Sequence, residues 1–265
     1  MKIIHFSDPH AGGGAEDWMA YFDKRWVGVF NYRFRRRFQH DLSKLEKAVA
    51  YILDARPDLA VCTGDLTSSG QPGEFERVRK ILKPLVDSSI PLVYSPGNHD
   101  CYVKRPWCVQ AMKETVYEVN QGRFTFDEMP CRLELGGAEV LMLNTSRPSN
   151  LLCSWGFVYK KDSQKICSLC EEEKKGPRIL VTHYPLIEDH KWLRFRHALF
   201  GQGQLVKLVR EKKIDLVLCG HVHKHFLKTD EQGFGQCCSG SVTRNGTMVE
   251  IDCQETGVSY KSIDL

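Results

Sequence analysis

Leu92-Val93-Tyr94-Ser95-Pro96-Gly97-Asn98-His99-Asp100 sets an apolar run almost directly against groups that bind metals and move protons. A short continuous apolar run, led by Pro91 and closed by a Pro-Gly turn, reads as a strand covered on both faces. The same order recurs along the chain. Ile3–Phe6 leads to Asp8-Pro9-His10, Leu59–Cys62 to Gly64-Asp65, Ile179–Val181 to Thr182-His183, and Leu216–Cys219 to Gly220-His221-Val222-His223. Each polar island therefore falls at the carboxyl end of a strand, the edge where open α/β sheets bind ligands. Val140–Leu143 reads as a further strand.

Between these runs the period changes from continuous to helical. Leu42–Ala55 places Leu42, Leu45, Val49 and Ile52/Leu53 at helical spacing, with Pro57 just beyond its end. Glu74–Val86 reads as a second helix, ended or kinked near Pro84, and Gln204–Glu211 as a third. Strand alternating with helix argues for the α/β class. Towards the C-terminus, Gly233–Ser241, Thr247–Asp252 and Val258–Ile263 read as antiparallel strands, with a turn at Asn245-Gly246.

The 265 residues are 42% hydrophobic, enough for a sizeable core without covalent staples. Thirty-seven basic against 33 acidic residues leave a net charge of +4, too mild to imply nucleic-acid binding. No run approaches the roughly 18–20 apolar residues of a membrane span. The N-terminus leads straight into Asp8 and lacks signal-peptide features, so a cytoplasmic protein is expected. Eleven cysteines, several inside strand-like runs, read as reduced thiols. Cys167-Ser168-Leu169-Cys170 lacks the second pair a structural zinc site needs.

Hydrolysis of a phosphate ester needs a nucleophile at neutral pH and neutralisation of the phosphoryl group. Two metals roughly 3.5–4 Å apart supply both, sharing an activated hydroxide and clamping the phosphoryl oxygens. Such a centre wants a carboxylate between the ions, neutral His and Asn ligands, and a separate proton donor for the leaving oxygen. The five islands hold this inventory. In order they read D-x-H, G-D, G-N-H-D, H and G-H-x-H, from Asp8 to His223.

This ordered set resembles the calcineurin-like metallophosphoesterases. The resemblance implies a fold of two facing mixed β-sheets flanked by helices, and one domain over 1–265. It implies one metal on Asp8, His10 and His223, a second on Asn98, His183 and His221, and Asp65 bridging both. It implies that His99 assists the leaving group and that Asp100 orients nearby groups. The expected reaction is hydrolysis of a phosphodiester or pyrophosphate by a metal-bridging hydroxide. The expected cofactors are two divalent ions, Mn²⁺ first, with Fe or Zn also fitting His/Asp/Asn ligation. His5, His40, His190, His197 and His225 fall outside the blocks; of these, His225 is placed to reach substrate.

Gly64-Asp65-Leu66-Thr67-Ser68-Ser69-Gly70 lacks the second Asp and the Arg of the G-D-x-x-D-R-G block of protein serine/threonine phosphatases. It resembles instead the small bacterial phosphodiesterases, including those acting on cyclic nucleotides. Thr182-His183-Tyr184-Pro185 resembles their H-H-P-like block. An inserted segment at about 12–40 departs from that pattern. Plotted as a helix, Trp26, Val29, Phe30, Phe34 and Phe38 share a broad face with Arg33 and Arg37. Three readings stay open: a helix packed on the core by its aromatics, a substrate cap using Trp26, Arg33 and Arg37, or an interfacial helix touching an anionic bilayer through 24–38. The last two together suit a lipid-linked pyrophosphate hydrolase of the UDP-diacylglucosamine type, peripheral on the inner membrane face. A smaller insertion at about 101–121 offers Lys104, Arg105 and Trp107 as another pocket wall. A nuclease or a non-catalytic metal-binding scaffold are the rival functions. The expected partner is a nucleotide or lipid-linked phosphate ester, with no stable nucleic-acid partner.

Overall fold

Strand β1 (Lys2–Phe6) is the middle of a five-stranded sheet, and every island is set relative to it. It pairs in parallel with β2 (Leu59–Cys62), which pairs in parallel with β3 (Leu92–Tyr94). On its other side β12 (Thr247–Gln254) and β13 (Gly257–Asp264) run antiparallel. The computed structural model describes residues 1–148, 153–187, 197–254 and 257–265; His190 lies outside them. A six-stranded sheet has the order β10 (His225–Thr229), β11 (Gly235–Ser239), β9 (Leu216–Cys219), β7 (Arg178–Val181), β5 (Ala138–Met142), β4 (Cys131–Leu135). Its inner strands β5, β7, β9 and β11 are parallel, and its edges antiparallel. Two short strands, β6 (Gly156–Phe157) and β8 (Leu199–Phe200), pair separately.

The two sheets face one another through a shared core, and strand alternation shows how. Val140, Met142, Ile179, Val181, Leu216 and Leu218 pack into the cluster that holds Ile3, Phe6, Val61 and Val93. Their neighbours Leu141, Leu180 and Val217 point the other way, onto Ile166, Leu205 and Leu208. Those last three belong to α5 (Lys160–Glu171) and α6 (Gly203–Arg210). Helix α2 (Leu42–Ala55) buries Leu45, Ala48, Val49 and Ile52, the stripe its periodicity predicts.

Helix α3 spans Pro72–Val86. It begins at Pro72 because proline suits the first turn, where its missing N–H costs nothing. The fully buried Glu74 carboxylate caps that turn, accepting from Ser69 N, Ser69 Oγ and Gln71 N at 2.8–3.3 Å. The helix ends at Val86, two residues past Pro84, as expected, and its ladder persists to that end, since Asp87 N donates to Lys83 O at 2.9 Å. A proline in the last turn removes one bond only, and Leu82 and Leu85 hold the turn on the core.

Residues 101–121 correct an expectation. They contain α4 (Pro106–Val119), which packs beside α3 and buries Ala111, Met112, Val116 and Val119 in the main core. Lys104, Arg105 and Trp107 do not wall the site; Arg105 bonds Asp23 at 2.8 Å, and Tyr102 is the residue of this segment that reaches the cavity.

Helix α1 (Arg25–Phe34) is followed by a 3₁₀ turn at Arg36–Phe38. It is held by charge and by close approach, not by its aromatics. Arg25 is fully buried between Asp17 (2.5 Å) and Asp23 (3.0 Å). Gly28 packs so tightly that a Cβ there would lie 2.6 Å from the Ser69 side chain. Trp18, Tyr21, Phe22, Trp26, Phe30, Phe34 and Phe38 are each 46–75% exposed, which overturns the reading of an aromatic stripe packed on the core.

Candidate metal centre

The islands lie on the loops just past β1, β2, β3, β7 and β9, and these loops bring them to one place. The turns are tight enough to force unusual backbone. Asp8, His10, Asp65, His221 and His223 all have φ between 50° and 72°, the left-handed region that side chains seldom adopt. Glycine supplies the room beside them. A Cβ on Gly97 would fall 2.1 Å from Asp65 Oδ1, and one on Gly220 would fall 2.7 Å from Asp8 Oδ2.

Two donor sets result. Asp8, His10, Asp65 and His223 converge at one point; Asp65, His183 and His221 converge at another, each within 4.8 Å. Asp65 belongs to both, with Oδ2 3.5 Å from His10 Nε2 and 3.5 Å from His183 Nε2. In the first set His10 Nε2 and His223 Nε2 approach to 2.8 Å. In the second, His183 Nε2 lies 3.2 Å from both Asn98 Oδ1 and His221 Nδ1. Backbone carbonyls fix the rings: Thr63 O takes His183 Nδ1–H at 2.6 Å and Thr67 O takes His10 Nδ1–H at 3.2 Å, which turns both Nε2 atoms inward.

These residues fit divalent cations on one further observation. Asp8 Oδ1 is buried with no hydrogen-bond partner among the described residues. A lone buried carboxylate oxygen is costly, and a cation at the convergence point satisfies it. Two carboxylates against two dications leave the centre net positive, which suits an anionic ester.

The electrostatics agree with a cradle for cations. Burial opposes the charge of Asp65, yet His183 and His99 hold its carboxyl well below the usual range. Burial likewise disfavours charge on His183, but the Asp65 carboxylate holds it up at about 9. Burial and Arg36 push His10 and His99 well down.

His99 and Asp100 sit apart from the donor sets. The His99 backbone N–H bonds Asp65 Oδ1 at 2.7 Å; its Nδ1–H bonds Ser68 O at 2.7 Å and its ring stacks on Tyr102. Asp100 is buried and does not line the cavity. Its carboxylate accepts from Leu66 N, Thr67 N, Thr67 Oγ1, Tyr94 OH and Gly97 N, so it clamps the Asp65 loop to the Asn98 loop.

The calcineurin-like phosphoesterase family model matches residues 1–225, a span that holds both donor sets. The chain belongs to this family. This phosphoesterase is 24% identical over 228 residues to a cAMP/cGMP dual specificity phosphodiesterase of Mycobacterium tuberculosis, covering 83% of this chain and 61% of that protein. It is 26% identical over 171 residues to a 3′,5′-cyclic-nucleotide phosphodiesterase of Nostoc, covering 64% and 57%. The phosphoesterase thus spans about three fifths of the length of these relatives. Its fold matches a dimetal phosphatase from Danio rerio with a TM-score of 0.66 at 13% identity, over 100% of this chain and 98% of the other. Among the described residues no helix is long and apolar enough to cross a membrane.

A cavity of about 400 Å³ opens above the donors, lined by Lys24, Asn31, Arg35, Arg36, Tyr102, His197 and Arg244 as well as Asp65, Asn98, His99, His221 and His223. Trp26, Arg33, Arg37 and His225 are not brought to it. The first three line a separate groove with Tyr21, Phe30 and Phe34, and His225 Nδ1 is occupied by Cys238 O at 3.0 Å on β10. The helix is amphipathic as read, but with its faces exchanged. The stripe Lys24, Val27, Asn31, Arg35 points to the donors, and the buried Gly28 is the residue that marks this inner face. His197 Nδ1, 3.0 Å from His221 Nε2, carried no sequence signal, because its approach to the site is set by tertiary packing.

Proposed function

We propose that this phosphoesterase hydrolyses a small nucleotide-class phosphodiester with two divalent cations, and that Mn²⁺ serves as the cation. The observation that carries the reading is Asp65, shared by two donor sets on the floor of a basic cavity. When bound, the cations would polarise the phosphoryl oxygens and lower the pKa of water. Asp8, His10, Asp65 and His223 would hold one ion, and Asp65, Asn98, His183 and His221 the other. His197 orients His221 through their ring contact. His99 aims Nε2 into the cavity, because Ser68 O takes its Nδ1–H; Nε2 of the neutral ring faces Arg36 without a proton, so His99 would assist the leaving oxygen only after taking up a second proton as the anionic substrate draws Arg36 away. Arg36, 3.0 Å from His99 Nε2, offers its guanidinium to the phosphoryl group.

Cyclic nucleotides are the substrates named for both relatives, and this places the nucleotide reading above the lipid-linked pyrophosphate reading. The test is direct. Protein stripped with chelator is expected to be inactive on bis(p-nitrophenyl) phosphate and cAMP, and to regain turnover and a raised melting temperature with Mn²⁺. Full activity in the stripped protein, or no turnover of any diester with Mn²⁺, Fe²⁺ or Zn²⁺, overturns the reading.

A second reading concerns the outer face of α1, where the exposed aromatics stand beside Arg33 and Arg37. Basic residues among Trp and Phe suit an anionic bilayer surface, so 24–38 would give peripheral contact. Flotation with phosphatidylglycerol vesicles is expected to carry the protein; recovery only in the soluble fraction removes this reading.

A further inference from the structure

Beside the main cavity lies a smaller one of about 180 Å³, lined by Asn31, Arg35, Arg36, Gln39, His40, His223 and Arg244. The two share Asn31, Arg35, Arg36, His223 and Arg244, so a molecule seated over the donors can extend into the second. The charge balance is unusual. No carboxylate lines the smaller cavity, and Arg35 and Arg244 make no ion pair among the described residues. Arg35 and Arg244 are exposed, so their guanidinium groups are open to an incoming anion. Arg36 faces ring nitrogens of the neutral His99 and His10 and makes no ion pair among the described residues.

The segments that carry the arginines are also fixed in place. Arg35 and Arg36 follow α1, while Arg244 sits on the loop between β11 and β12. That loop is fastened to the Asp8 island by Ser241 Oγ to Asp8 O (2.8 Å) and Thr243 Oγ1 to Pro9 O (2.7 Å). It is tied to the other arm by Asp41 N to Thr243 O (3.2 Å) and by His40 Nδ1 with Thr243 Oγ1 (2.8 Å). Arginines carried on anchored segments around a space with room for a phosphate, next to a centre that two cations would make net positive, supply more positive charge than one diester carries.

We propose that the smaller cavity is a subsite for a second phosphate of the substrate, held by Arg35 and Arg244 beside the Arg36 that faces the scissile phosphoryl group, so that the preferred substrate is a nucleotide diester bearing one phosphate beyond the scissile one. This rests on the phosphodiesterase reading above. A substrate with a single phosphate, such as cAMP, would leave the subsite unfilled.

The experiment compares two matched substrates with the Mn²⁺-loaded enzyme: the dinucleotide ApA with a free 5′-hydroxyl, and the same dinucleotide with a 5′-phosphate. The 5′-phosphorylated dinucleotide is expected to exceed ApA in kcat/KM by about tenfold or more, the scale of one charge-assisted contact. In Arg244→Gln that ratio is expected to fall toward one; Arg35→Gln, on a separate element, is expected to do the same. Calorimetric titration in chelator, where no turnover occurs, is expected to give the same order of binding and to lose it in Arg244→Gln. Equal kcat/KM for both substrates, or an Arg244→Gln loss of the same factor on each, overturns the subsite. Absence of hydrolysis of bis(p-nitrophenyl) phosphate and of every dinucleotide overturns the phosphodiesterase reading instead, and the calorimetric order then judges the subsite alone.

Discussion

Asp65→Asn protein is expected to lose both ions and to fall by roughly three orders of magnitude or more in turnover, as expected when a metal centre's shared anionic ligand becomes neutral. The geometry makes this substitution informative. Asparagine keeps a carbonyl oxygen where Asp65 Oδ1 accepts the His99 N–H at 2.7 Å, so the loop retains its anchor. The other oxygen becomes an amide. That atom faces His10 Nε2 and His183 Nε2, each at 3.5 Å, and so weakens both donor sets at once. A ligand of one ion alone, such as His223, would leave the second set whole. Metal analysis after dialysis is the readout, with circular dichroism to confirm the fold. Two tightly held ions in the variant would remove Asp65 from the shared position.

His99→Ala is expected to keep its metal content and to lose about 10²–10⁴ in kcat, the range for general acid catalysis. Alanine keeps the backbone N–H that bonds Asp65, so the donor sets are undisturbed. What disappears is a ring fixed by Ser68 O on one nitrogen and by Tyr102 on its face, with Nε2 toward the cavity. The loss should depend on the leaving group. A p-nitrophenolate departs without a proton, whereas a ribose alkoxide does not. The variant should therefore be far more impaired on a dinucleotide than on bis(p-nitrophenyl) phosphate. Equal loss on both would take proton donation away from His99, and unchanged rates would take it out of the mechanism.

Much of the fold is legible because hydrophobic period survives folding. The runs at Leu59–Cys62, Leu92–Tyr94 and Leu216–Cys219 are strands with those bounds, and Leu42–Ala55 is a helix with its predicted buried stripe. The donor islands are legible for a related reason: they follow parallel strands, three in one sheet and two in the other, whose carboxyl ends meet at the site. The segment around α1 shows where period stops being enough. It identifies an apolar face but not what that face meets, and here the aromatic face meets solvent while Lys24, Asn31 and Arg35 meet the cavity. Arg36 falls past the end of α1, in a 3₁₀ turn, so helical plotting misplaces it. In α4, Ala111, Met112, Val116 and Val119 do carry helical spacing. Lys104, Arg105 and Trp107 draw attention away from it, because charge and aromaticity look functional wherever they occur.

The left-handed backbone at Asp8, His10, Asp65, His221 and His223 has an evolutionary consequence. Each such residue costs on the order of 1 kcal/mol relative to glycine, and the sum is comparable with a domain's whole margin of about 5–15 kcal/mol. Folding alone would favour glycine or asparagine at these positions. A lineage freed from hydrolysis would drift that way within a few substitutions, becoming sturdier as it became inert. A chain that still carries two aspartates and three histidines there has kept residues that its own stability selects against.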